Sequence, residues 1–74
     1  MADLENLHVI APEIVQKIKE QGITTIEKFY SVAKHPDTRL ELSTKIGVDT
    51  FTLEEWSSAA GNYIIMAEML NPEF

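Results

Sequence analysis

The sequence predicts an all-α fold, a compact bundle of four to five helices with a long C-terminal helix. Three observations point there. Apolar residues recur at three- and four-residue spacing, and no stretch sustains the alternation of a half-buried strand. Gly22, His35-Pro36, Gly47 and Asn71-Pro72 interrupt that rhythm at intervals suited to short helices. The chain has 74 residues, so residues 1-74 form one small domain. A core of this size gives thin stability, so helix caps, tight packing or self-association must contribute.

The elements follow in order. Leu4 and Leu7, three apart, predict a short first helix over roughly residues 3–8. Pro12 suits the first position of the second helix, where its missing N–H leaves no intrahelical bond unmade. Ile14, Val15 and Ile18 form its apolar stripe. Gly22 ends it as a left-handed cap, with Ile23 expected to pack back on Ile18. Thr24 with Glu27 reads as a capping box that starts the third helix at once. Ile26, Phe29, Tyr30 and Ala33 form its inward face. His35-Pro36 ends it, because a residue before proline avoids the helical region. A His35 cation there would suit the helix dipole.

Asp37 is expected to cap the fourth helix, with Leu42 and Ile46 turned inward. Gly47 repeats the Gly22 stop, and Val48 is expected to pack back on Leu42. The two Gly-aliphatic stops suggest a degenerate pair of helical hairpins. Thr52 with Glu55 reads as a second capping box, and Phe51 and Trp56 stand where a hydrophobic staple would place them. The last helix then runs from about residue 53 to 70. Ile18, Ile23, Phe29, Leu42, Ile46, Trp56 and Ile64 are the expected core.

Composition narrows the function. The chain has no cysteine, which excludes disulfides, thiolate metal sites and cysteine nucleophiles and fits a reducing, cytoplasmic setting. The start MADLENLH has neither the basic residues nor the apolar run of a secretory signal. The longest apolar run, YIIMA, is far short of a membrane span, so no membrane partner is expected. Twelve carboxylates oppose 6 Lys and Arg, for a net charge of -6. Residues 1–35 are close to neutral, whereas residues 36–74 set seven acids against Arg39 and Lys45. Nucleic-acid binders need basic patches, because phosphate neutralisation supplies most non-specific affinity. Only the first half can offer a small one.

Placed on these elements, GITTIEKF resembles the second half of a helix-hairpin-helix motif. The longer run GITTIEKFYSVAKHPDTRLELSTKIGVDTFTLEEWSSAAG is similar to an uncharacterised domain-of-unknown-function family in the helix-hairpin-helix, SAM-domain-like superfamily. Gly22-Ile23 with Thr25, the Pro36/Arg39/Leu42 segment, Gly47-Val48, Leu53 and Trp56 carry the likeness, over roughly residues 4–66. It implies a helix-hairpin-helix-like (SAM-like) bundle and no particular activity. Members that bind DNA use a Gly-hydrophobic-Gly hairpin, whose glycines let backbone N–H groups approach a phosphate. The matching stretch here is Val9-Ile10-Ala11-Pro12, with side chains at both glycine positions. Valine strongly disfavours positive φ. Pro12 also removes one donor from the helix N-terminus.

No catalytic constellation is legible. His8 and His35 have no metal-ligand spacing, and Ser57-Ser58 beside Glu54-Glu55 reads as a solvated helix face. The chain reads as non-enzymatic and without cofactor. Two functions compete. The first is protein–protein contact or self-association through the last helix. Counting 100° per residue, Tyr63, Met66, Ala67 and Leu70 share one side, with Ile64 at its edge, and are expected to cover the core. Ile65 and Met69 fall opposite, beside Gly61, where a surface helix should be polar. Gly61, Ile65 and Met69, with the apolar end Phe74, are the candidate contact residues. The alternative is weak, sequence-independent binding of a nucleic-acid backbone at residues 8-23. Val9, Ala11, Lys17 and Lys19 would form that site, although solvated helix faces are the simpler account of the lysines.

Overall fold

The computed structural model describes residues 2–70, apart from the side chains of Glu68 and Leu70. The Asn71-Pro72 stop and Phe74 lie outside the described residues. Four α-helices follow a short 3-10 turn at Leu4–Asn6: α1 (Pro12–Glu20), α2 (Ile26–Ala33), α3 (Pro36–Ile46) and α4 (Thr50–Leu70). The fold is a small all-α bundle with a long last helix. α2 lies at its centre and packs on α4, on α3 and on the N-terminal turn. Phe29, Ile26, Ile18, Leu4 and Leu53 are the largest fully enclosed side chains. Ile23, Leu42 and Ile46 join them in the core, with Trp56, Ile64 and Val48 packed half-buried against it.

Prolines start two helices and glycines stop two. Pro12 and Pro36 each open a helix, the flanking Ala11 and His35 making no side-chain cap bond. Gly22 and Gly47 have φ of 84° and 72°, the left-handed region that suits glycine. Gly22 N–H donates to Lys19 O and Gly47 N–H to Ser43 O, closing both stops.

Three caps differ from expectation. Thr25, not Thr24, caps α2, its hydroxyl accepting from Lys28 N–H at 3.1 Å. The reason is tertiary. Residues 2–4 cross this segment as an extended strap: Leu4 N–H donates to Thr24 O, and Ile26 N–H donates to Ala2 O. Thr25 pairs with Asp3 of the strap in an isolated antiparallel bridge and is extended, at φ −122° and ψ 158°. Glu27 turns to the strap as well, its carboxylate accepting from Ala2 N–H. Asp37 lies inside the first turn of α3, because Pro36 already occupies the first helical position. Asp49 displaces the Thr52/Glu55 box. Its carboxylate accepts from Phe51 N–H at 2.8 Å and from the Thr52 hydroxyl at 2.9 Å, so α4 begins at Thr50. The carboxylate suits that positive helix end. The earlier start moves Phe51 onto the solvent side at 65% exposure, and no staple forms with Trp56.

Candidate functional site

The phase of α4 is set by Leu53, Ser57 and Ala60, all buried, and by the half-buried Ile64. Their spacing of four, three and four residues defines one helical stripe. Ser57 therefore does not lie on a solvated face. Met66 lies on the solvent side of this stripe rather than over the core, and it is exposed with Ile65 and Met69. Ala67 repeats the Ala60 position two turns on, yet it is exposed. Past Ile64 the helix has outrun the body of the domain, so apolar groups meet water on both sides. At 1.5 Å per residue, the six positions Ile65–Leu70 extend about 9 Å. A helix that is apolar all round belongs in a buried setting.

The expected contact residues separate here. Ile65 and Met69 are exposed as expected, and Met66 joins them. Gly61 does not belong with them. A Cβ at Gly61 would lie 3.0 Å from Tyr30 Cε1, so that face of α4 closes against α2 within the domain. Beside the free end runs a largely apolar groove between Leu7-His8 and the α4 residues Ala59, Tyr63, Met66 and Ala67. The Leu53/Ser57/Ala60/Ile64 spacing was the available signal for Met66, whereas a stripe centred on Tyr63 places Met66 inward.

The hairpin at residues 8–11 keeps its central hydrophobe, Ile10, in the core. Val9 is exposed, and Ala11 is extended at φ −62° and ψ 145°. No non-glycine among the described residues has positive φ. The backbone thus lacks the left-handed turns that let amides close on a phosphate. The recess at the hairpin, against Ile10, Pro12 and Val15, has Glu5 on its rim. Lys17 is exposed, but Lys19 is engaged: its Nζ lies 2.8 Å from Glu5 Oε2 and 3.2 Å from Asp3 Oδ1. Among the described residues, no three His, Asp or Glu side chains gather as metal ligands. No described helix is long and apolar enough to cross a membrane.

The Lys19 cluster has a pH signature. The Glu5 backbone N–H, and then Lys19, hold the Asp3 carboxyl below its ordinary range. Hydrogen bonding to Glu5, and then to Asp3, raises the Lys19 ammonium. Asp3 therefore contributes fully above the ordinary carboxylate pKa, and its contribution is lost as pH falls through its lowered value. Lys19 contributes fully below the ordinary lysine pKa, and its contribution is lost as pH rises through its raised value. In Lys19→Met the Asp3 titration, followed by carboxyl NMR, is expected to move upward but stay low, because the backbone donor remains. A curve unchanged from wild type would show that Lys19 does not act on Asp3.

No protein-family model matches the chain, nor does any curated protein or solved structure.

Proposed function

We propose that this chain is a non-catalytic helical interaction module that makes protein–protein contact or self-associates through the free end of α4. One observation carries the reading: Ile65, Met66 and Met69 are exposed together where α4 leaves the bundle. Clustered apolar surface of this kind marks docking faces, and methionine adapts to partners of varied shape. The hairpin at residues 8–23 then serves as the scaffold of a helix-hairpin-helix-like architecture, without a phosphate site. Backbone binding of nucleic acid there draws less support, since Lys19 is spent on two carboxylates and Glu5 guards the recess. A cytoplasmic setting belongs to the same reading, on the ground that the chain lacks cysteine.

The test pairs wild type with Ile65→Asp/Met69→Asp. Both positions are exposed, so the double variant is expected to keep its helical circular dichroism and melting behaviour. Light scattering from micromolar to millimolar protein reads self-association. Selection of helical peptides from a displayed library reads heterologous contact. Association in either format, abolished by the two aspartates, is the expected result. No association in either format, or association indifferent to the aspartates, would overturn the reading.

A further inference from the structure

A second surface is independent of α4's free end, touching it only at Ile65. It is a groove of about 410 Å³ where α2, α3 and α4 meet. That volume lies within the range of small-molecule sites. Two cations reach it from different elements. Lys34, the residue after α2, holds its Nζ 5.3 Å from the centre of the Tyr30 ring, with no carboxylate in ion-pair range among the described residues. Arg39, in α3, is only 17% exposed at its side chain. One guanidinium nitrogen donates to Ala33 O at 3.1 Å, while the other terminal nitrogen stands 4.0 Å from Glu54 Oε2, too far for a hydrogen bond. A guanidinium carries five N–H donors, so much of this capacity is left over.

The third group is Ser57. It is 7% exposed and lines the same groove. Its hydroxyl makes no hydrogen bond among the described residues, although every fully enclosed side-chain polar atom there has a partner. The hydroxyl therefore keeps a narrow opening to the groove it lines. Water entering the groove can satisfy that hydroxyl, and an acceptor oxygen on a bound ligand would take the water's place.

We propose that this groove binds a small phosphate-bearing molecule. Arg39 supplies a planar fork, Lys34 a second positive charge and Ser57 a neutral donor at the base, with Ser58 and Asn62 at the rim. A tetrahedral group with several acceptor oxygens answers donors converging from three helices. A carboxylate is already present as Glu54, which is exposed and stands in the ligand's place beside Arg39. It must turn outward on binding. Tyr30 and Ile65 add apolar wall for an organic substituent on the phosphate.

The experiment is an amide NMR titration of the full chain at low salt, with inorganic phosphate in one arm and phenyl phosphate in the other. Saturable shifts at residues 34, 39, 57, 58 and 62 are expected. Tighter binding of phenyl phosphate assigns a phosphate ester; equal binding assigns free phosphate. Ser57→Ala removes one hydroxyl and is expected to weaken binding several-fold. Arg39→Lys keeps the charge, loses the fork, and is expected to weaken it about tenfold. Glu54→Gln removes the competing anion and is expected to tighten binding. Arg39 also holds Ala33 O, so each variant is first checked for an unchanged melt; Ser57→Ala and Glu54→Gln keep the test open if Arg39→Lys is unstable. Shifts that fail to saturate, that appear equally at Lys17, Lys28 and Lys45, or that ignore Ser57→Ala and Glu54→Gln would overturn the proposal.

Discussion

Phe29→Ala is expected to leave the protein largely unfolded at room temperature. Phe29 is fully enclosed in α2, the helix that packs on α3, α4 and the N-terminal turn. Truncating an enclosed phenylalanine costs about 3–5 kcal/mol, as lost transfer free energy plus the void that remains. A single core in a domain this small rarely supplies more than about 3–5 kcal/mol of net stability. The two figures meet, and the chain has no disulfide to limit the loss. Circular dichroism should show most helical signal gone, and a urea titration should lack a native baseline. A cooperative melt within about 1 kcal/mol of wild type would mean that the neighbouring helices collapse into the void.

Leu4→Ala should be nearly as damaging, which its place near the chain start does not suggest. Terminal residues ordinarily fray unless tied down. Here the strap is tied by backbone bonds from Leu4 N–H to Thr24 O at 3.1 Å and from Ile26 N–H to Ala2 O at 3.0 Å. Leu4 itself has no exposed surface. An enclosed leucine truncated to alanine costs about 2–5 kcal/mol. The backbone bonds survive the substitution, so the loss measures the side chain's share of the core. The urea midpoint should fall well below wild type, whereas Val9→Ala, at an exposed position, should stay within about 0.5 kcal/mol. A wild-type midpoint in Leu4→Ala, with fast amide exchange confined to residues 4 and 26, would instead make the strap a separate unit that opens alone.

Both expectations bear on how far the fold could be read in advance. Ile18, Ile23, Phe29, Leu42 and Ile46 were legible as core from helical spacing, and the structure buries all five. The helix stops at Gly22 and Gly47 were legible too, because a left-handed cap is a property of one residue and its neighbours. Leu4 was legible only as part of a short first helix. Its importance comes from the strap crossing Thr24 and Ile26, twenty or more residues away.

The candidate sites divide the same way. Ile65 and Met69 stand out because an exposed apolar pair breaks helical patterning. Gly61 read as part of that stripe, but its outer face depends on where Tyr30 of α2 arrives. Arg39, Lys34 and Ser57 share no spacing that announces a site. They converge only when α3 and α4 pack around α2.

By itself, then, the sequence determined an all-α chain, the Pro12 start, the two glycine stops and most of the core. These follow from interactions within about one helical turn, where φ preference, lost donors and side-chain spacing act without reference to the rest of the chain. Only the tertiary structure decided that Thr25 caps α2, that Ala67 faces water although it is in phase with the buried Ala60, that Gly61 closes on Tyr30, and that two cations meet a buried hydroxyl. None of these is fixed by interactions within one helical turn. Distant partners decide them: the strap for Thr25, the length of α4 beyond the bundle for Ala67, and the docking of three helices for Gly61 and the groove.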